Sequence, residues 1–352
     1  MVRRIEFRQQ FNILVLFMIV QFAGLLLSSM VYTSMQITPN SNAQNNSQIN
    51  TPSQALWFFV YLILATLIIL LFFKFYHGNI LYRLLEGFVI VVPSFFVFAT
   101  IFGYFFPNAS IVAVSLISLL ISICLVVSKN KYPQLKNTVV IIASIGVGLV
   151  LGIEFGFSIA YLLVLAIAAY DYISVFITKH MITLAKAATS KNLAFLIGST
   201  DVEVIPRGFF NKKESKEYMK YKKELEKSRD PIIKKIMKQG KLPLISQVQL
   251  GAGDLGIPLM LAISSYRIAY NYFIPVSIAI GGTLGMLFTM YVQKKYLIPL
   301  PAIPPLFSFM SLVLGLAFLT VSIKFGIFFM LMGILILSIF MFGVKRSAKN
   351  NR

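Results

Sequence analysis

The chain has 352 residues, of which 58% are hydrophobic and 12% charged, and its mean hydropathy is +0.81. Those proportions exclude an ordinary soluble domain and predict a protein that lives in lipid. The net charge of +20 raises nucleic acid as a partner, but aromatic and basic residues are not interleaved as a base-stacking platform needs. Attraction to anionic lipid headgroups accounts for the charge more simply.

A helix needs about 20 apolar residues to cross roughly 30 Å of hydrocarbon. Ten runs qualify, at 13–32, 55–73, 87–106, 109–127, 138–155, 157–177, 244–266, 271–291, 300–322 and 325–344. Arg3, Arg4 and Arg8 precede the first run. Its apolar core is about twice the length of a signal peptide's and no A-x-A site follows, so it is expected to stay as a span. The fifth and sixth runs nearly touch at Glu154-Phe155-Gly156-Phe157, and only Lys324 separates the last two. Cys124 is the only cysteine, which excludes an intramolecular disulfide.

Lys and Arg collect in alternate loops: Lys74 and Arg83; Lys129, Lys131 and Lys136; Lys294 and Lys295; and the tail from Lys345. Short basic loops stay in the cytoplasm. Ten spans with both termini inside satisfy that rule, and the opposite loops, SNAQNNSQINTPSQ and FPNAS, are nearly uncharged. The one large extramembrane piece, 178–243, also falls inside. Its stretch NKKESKEYMKYKKELEKSRDPIIKKIMKQGK reads as one or two polar helices broken near Pro231, a solvated and self-repelling face rather than a binding surface.

Most of the twelve acidic residues lie in that loop. Asp171 and Asp254 fall at membrane depth, and Glu86 and Glu154 at span ends. An Asp inside a span costs several kcal/mol on insertion scales, so each requires a function or a partner. Two carboxylates on adjacent spans supply one another: at close range they share a proton and titrate as a pair. That is the working state of an aspartic protease, in which one carboxylate activates water and the other protonates the scissile carbonyl oxygen. Gly251, Gly253 and Gly256 around Asp254 allow close approach of backbone or substrate. Gly148-x3-Gly152-x3-Gly156 and Gly281-Gly282 with Gly285 read as small-residue stripes for helix packing. His77, His180 and Cys124 make no plausible metal-ligand set, so neither metal nor cofactor is expected. The sequons at Asn45 and Asn108 lie in predicted outer loops.

Three short motifs together carry a resemblance. Tyr170-Asp171 in AIAAYDYISVF, Gly251-Ala252-Gly253-Asp254 in VQLGAGDLGIP and Pro301-Ala302-Ile303-Pro304 in LPAIPPL resemble the YD, GxGD and PAL motifs of the presenilin and signal peptide peptidase family of intramembrane aspartyl proteases. The segment YDYISVFITKHMITLAKAA is similar to archaeal members. The resemblance covers about residues 140–322; the first four spans match only in number and polarity.

It implies an all-α polytopic fold of nine to ten transmembrane helices, organised as 1–137 (spans one to four), 138–177 (spans five and six, with the first acid), 178–243 (basic loop), 244–322 (spans seven to nine) and 323–352 (an extra span and basic tail). It further implies that Asp171 and Asp254 are the catalytic pair, that Gly251 and Gly253 shape the approach to Asp254, and that Tyr170 packs or hydrogen-bonds beside its acid. Pro301, Ala302 and Pro304 would open the ninth span with an unwound turn. Ala252 and Ile303 stand where the family usually has Leu, which bears on substrate preference, and the tenth span exceeds a nine-span pattern. The implied substrates are transmembrane proteins or signal-peptide remnants, cleaved without an obligatory partner.

A substrate helix must unwind to be cut, and its freed backbone groups need partners. Leu242-Pro243-Leu244-Ile245 and the backbone near Pro301 are candidates to supply them by β-augmentation. Two other readings stay open. A prepilin-peptidase-like protease also uses GxGD, but carries a Lys soon after the acid, where this chain has Leu255-Gly256-Ile257-Pro258. A proton-coupled transporter could use the same carboxylate pair, although no inverted repeat is visible.

Overall fold

The computed structural model describes residues 7–34, 79–132, 135–178, 196–205, 242–269, 271–296, 298, 300–320 and 322–350, with six isolated positions between 51 and 64. The second predicted span apart from four isolated positions, the polar helices expected in 211–241, both histidines and the Asn45 sequon fall outside these residues. The chain divides into two compact units, Met1–Ile13 with Gly198–Gln249, and Leu14–Ile197 with Leu250–Arg352.

The larger unit is helical. Its elements are α1 (Phe7–Ser34, which begins in the other unit), α2 (Asn79–Phe105), α3 (Ile111–Lys131), α4 (Lys136–Glu154) and α5 (Phe157–Tyr172), the last continued by a π-helical turn at Ile173–Ile177. After the loop come α6 (Ala252–Ser264), the single turn α7 (Tyr266–Ala269), α8 (Phe273–Tyr296), α9 (Ile303–Leu319) and α10 (Ile323–Asn350). Among the described residues seven helices are long and apolar enough to cross a membrane: α1 to α5, α8 and α10. Large apolar side chains face outward along them, for example Leu120, Leu162 and Leu331, the arrangement expected of helices that meet lipid.

Local chemistry fixes the ends. Ser110, from the Asn108 sequon, caps α3 by accepting the Ala113 N–H at 3.2 Å. Between α4 and α5 the chain turns in two residues, Phe155 and Gly156, both extended. Glu86 sits within α2, buried against Lys129 of α3 as an ion pair, so this acid has a structural partner.

Close packing runs along the glycines. A methyl carbon on Gly152 of α4 would lie 2.6 Å from Ile263 Cβ on α6, and one on Gly148 2.7 Å from Leu259. On α8, Gly281 and Gly285 sit equally close to the α9 backbone at Met310 and Leu306. Gly148, Gly152, Gly281 and Gly285 thus pack helices, as the sequence predicts, while Gly156 lies in the turn before α5 and Gly282 faces Phe17 of α1. Polar contacts tie the same elements: Gln21 of α1 donates to the Leu255 carbonyl at 3.0 Å, and Tyr161 of α5 meets Ser311 of α9 at 3.0 Å. The tenth predicted span is α10, which packs along α9, and Ser308 donates to the Gly333 carbonyl across that interface at 2.7 Å.

The smaller unit holds most of a two-stranded sheet, β1 (Leu196–Ile205) and β2 (Leu242–Gly251). Here the structure corrects the sequence reading. The seventh span does not begin at residue 244: residues 242–251 form a strand, and the helix spans Ala252–Ser264. Gln247-Val248-Gln249-Leu250 alternates polar and apolar with a period of two, a pattern that suits a strand better than a lipid-facing helix. β1 was expected to be part of the polar loop; Asp201-Val202-Glu203-Val204 shows the same alternation. The ninth span is likewise shorter than 300–322, because Pro301 and Ala302 remain outside the helix.

Candidate active site

Asp171 lies in the last turn of α5, immediately before the backbone widens into its π turn. That widening is stitched by Thr178 N–H donating to the Ile173 carbonyl at 3.0 Å and by Ser174 Oγ donating to the Asp171 carbonyl at 3.0 Å. Single π turns inside helices occur frequently at functional sites.

Asp254 lies in the first turn of α6. The strand β2 runs through Gly251, whose extended backbone (φ −69°, ψ 145°) aims its N–H at the Asp254 carboxylate, with N to Oδ2 at 3.2 Å. A methyl carbon on Gly251 would lie 3.1 Å from that same oxygen, so the glycine leaves the carboxylate its place. One on Gly253 would meet only Ile257 Cδ1, at 3.8 Å; this exposed position has room on the protein's own account. Gly256 serves a different purpose from the one expected, since a methyl carbon there would lie 3.1 Å from the Ser144 carbonyl oxygen of α4. It brings α6 against α4 rather than clearing a path to the acid. Ser144 in turn donates to the Ala252 carbonyl at 3.2 Å. Pro258 has no N–H to offer the carbonyl of Asp254, four residues earlier, so that carbonyl has no helical partner.

The two carboxyl groups are brought together within direct Coulomb range. The third motif reaches the pair through its backbone. Pro301 and Ala302 are unwound, α9 starts at Ile303, and the Ile303 N–H donates to Asp171 Oδ2 at 3.2 Å; the Ala302 N–H contributes to the same carboxyl. Pro304 and Pro305 follow in the first helical turn, where missing donors cost nothing. Pro304 is therefore helical, not part of the unwound turn. Ile303 acts at Asp171 through its N–H, which any residue but proline supplies, so the departure from Leu leaves this contact intact. Tyr170 is 49% exposed on α5. Ala252 opens α6 and is half-buried.

Between α5, the start of α9 and α10 is a cavity of about 250 Å³ lined by Leu165, Ala168, Tyr172, Pro304, Met332 and Ile336. The sequence reading missed Ser144 and Gln21, which hold the first turn of α6 by its carbonyls. A polar side chain inside an apolar span was their signal in each case.

Comparison with known proteins now bears on this geometry. The fold is similar to a presenilin family intramembrane aspartate protease solved in two crystal forms. In space group C222 the TM-score is 0.54 at 18% identity, over 87% of this chain and 95% of that one. In space group P2 it is 0.55 at 18% identity, over 88% and 97%. No curated protein matches the chain. The family model described as signal-peptide peptidase, presenilin aspartyl protease matches residues 14–306. That match reaches back through the N-terminal helices, beyond what the three motifs covered, and stops short of α10. An integral, multi-pass membrane protein whose sequence fits this model from α1 to the start of α9, the chain belongs to the signal-peptide peptidase and presenilin family of aspartyl proteases.

Proposed function

We propose that the protein is an intramembrane endopeptidase in which Asp171 and Asp254 together activate water to hydrolyse peptide bonds of transmembrane helices. The observation that carries this reading is the convergence of two carboxyl groups from α5 and α6, each held at one oxygen by a backbone N–H, those of Ile303 and Gly251. Carboxyls fixed in this way have little freedom to turn from one another or from substrate.

Such a pair works with one proton between its members. The ionised carboxylate takes a proton from a water as its oxygen bonds to the scissile carbonyl carbon. The protonated carboxyl gives its proton to the carbonyl oxygen, and a gem-diol forms. When the gem-diol collapses, the C–N bond breaks, the leaving nitrogen accepts a proton and the pair returns to its starting state. The two carboxyl groups give and take the protons while water's oxygen bonds to the carbonyl carbon and the C–N bond breaks.

Substrate presentation follows from β2, which is continuous with Gly251 and ends three residues before Asp254. An unwound substrate segment that adds to a strand edge regains the backbone hydrogen bonds it loses on leaving its helix. Replacing Leu242 and Leu244 together by Asp is expected to abolish cleavage of a helical reporter. Unchanged cleavage would remove the strand from the mechanism. With the termini and the 178–243 loop in the cytoplasm, α5 runs inward and α6 outward, which favours substrates whose N-termini lie outside.

The deciding experiment is cleavage of a transmembrane reporter by the purified protein in liposomes, comparing it with Asp171→Ala and Asp254→Ala. Loss of cleavage in both, with inhibition of the unmodified protein by an aspartyl transition-state analogue, is expected. Cleavage that survives either substitution would overturn the pairing. Proton-linked flux without any cleavage would favour the transporter reading instead.

A further inference from the structure

At the far end of α6 from Asp254 lies a positive charge that no carboxylate among the described residues answers. Arg267, in α7, has its Nε and Nη1 buried and without a hydrogen-bond partner. The Tyr32 hydroxyl, which donates to the Ile263 carbonyl at 3.1 Å, is within hydrogen-bonding reach of the guanidinium. Among the described residues the ion pair found is Lys129–Glu86, far along the sequence from Arg267. The predicted outer segment 35–50 contains no acid. Glu154 ends α4 at the same end as Arg267, given that Gly152 abuts Ile263, but it makes no ion pair with the arginine. A buried guanidinium left in this state is strongly unfavourable, and a phosphate is the anion its planar donors fit best.

The surroundings specify which phosphate. Tyr32 stacks on Tyr266 with ring centroids 4.3 Å apart, and Tyr266 meets Tyr272 at 4.8 Å. Tyr272 is in hydrogen-bonding reach of Ser28 and Ser29. Tyrosines gather where the bilayer meets water. From Asp254 to Arg267 the helical rise is roughly 20 Å, against a half-thickness of about 15 Å for the hydrocarbon. An aspartate in the membrane interior therefore puts Arg267 at headgroup depth. Arg267, Tyr266 and Tyr272 are half-buried and Asn271 is exposed, so the arginine stands at the edge of the packed helices and not in their core.

We propose that Arg267, framed by Tyr32, Tyr266 and Tyr272, binds the phosphate of a phospholipid headgroup. The site is separate from the two aspartates and stands whether or not they catalyse proteolysis.

The test titrates the full-length protein in detergent with phosphatidylglycerol, with diacylglycerol of equal chain length and with inorganic phosphate, counting retained lipid by native mass spectrometry. The unmodified protein is expected to retain phosphatidylglycerol, Arg267→Gln to bind it roughly tenfold more weakly, and Arg267→Lys to recover most of the difference. Diacylglycerol retention should be the same in all three, and Glu154→Gln should match the unmodified protein. Equal retention of phosphatidylglycerol by Arg267→Gln overturns the site. Displacement of the lipid by equimolar inorganic phosphate overturns the assignment to lipid in favour of a free anion. Tighter lipid binding in Glu154→Gln would make that carboxylate the native partner and also overturn it. Should Arg267→Gln fail to fold, thermal unfolding of the unmodified protein decides: phosphatidylglycerol raises Tm above the value with diacylglycerol, and identical Tm values refute the proposal.

Discussion

Two glycines two residues apart separate a constraint imposed by the protein from one imposed by substrate. Alanine at Gly251 meets no backbone obstacle, because φ −69° and ψ 145° suit any residue. Its methyl carbon, however, would stand 3.1 Å from Asp254 Oδ2 and 3.6 Å from Cγ. The carboxyl must give way by a few tenths of an ångström, and the Gly251 N–H contact, already 3.2 Å long, lengthens with it. A hydrogen bond to a charged group contributes about 1.5–3 kcal/mol. Losing most of it at the reacting carboxyl lowers kcat/KM by roughly 10- to 100-fold. Alanine at Gly253 meets nothing nearer than Ile257 Cδ1 at 3.8 Å, and in the first turn of α6 it should add about 0.5–1 kcal/mol of stability. Reporter cleavage and thermal unfolding, measured together in liposomes, give the answer. Gly251→Ala is expected to keep its Tm and lose activity. Gly253→Ala is expected to gain Tm and still lose activity, because its methyl meets the bound substrate. Full activity in Gly251→Ala would refute the claim that this glycine makes room for the carboxylate.

Helix packing offers a sharper stability test. Gly152→Leu drives a side chain into Ile263, whose Cβ would be 2.6 Å from the new Cβ. A loss of about 1–3 kcal/mol or more is expected from overpacking, read as a lower Tm, while Gly103→Ala in α2, with nothing within 4 Å, should add about 0.5–1 kcal/mol. The buried Glu86–Lys129 pair should behave as other buried pairs do. Glu86→Gln alone is expected to cost about 3–5 kcal/mol, and Glu86→Leu with Lys129→Met to recover most of it. A double variant no more stable than the single one would contradict that reading.

Much of this molecule is legible in its sequence, and for a physical reason. A membrane span must bury about 20 residues of apolar surface, so eight of the expected runs coincide with helices, with ends displaced by up to eight residues. The acids are legible because charge in hydrocarbon is costly, and Asp171 and Asp254 do converge. What the sequence concealed lies where apolar composition and strand geometry coincide. The segment 242–251 is hydrophobic enough to be counted into a span, and its period of two was outweighed by its neighbours in the same window. Gly256 was grouped with Gly251 and Gly253 because all three surround one acid. Only coordinates distinguish a glycine that faces Ser144 from one that faces a carboxylate. The backbone contact from Ile303 was hidden in the same way, since a main-chain N–H carries no side-chain signature.

The two acids stand at different depths in their helices, and that difference accounts for the third motif. Asp254 is in the first turn of α6, where free N–H groups and the positive end of the helix dipole favour a carboxylate. Asp171 is far from the N-terminus of α5, where the backbone N–H groups are spent within the helix. A carboxyl there needs donors from elsewhere, and the start of α9 supplies them: Pro301 and Ala302 stay unwound, so the helix begins with its first N–H directed at Asp171 Oδ2. Each acid thus meets a helix N-terminus, Asp254 that of its own helix and Asp171 that of a helix more than a hundred residues later. A helix of 13 residues and one of 17 fall short of a full crossing, and this shortness lets both begin inside the membrane, where their free donors meet the two acids. Unwound backbone at that depth is tolerable only where protein or a polar site satisfies it. Asp171 provides that satisfaction for Ala302 and Ile303, so the motif and the acid stabilise each other, and a change at either is felt at both.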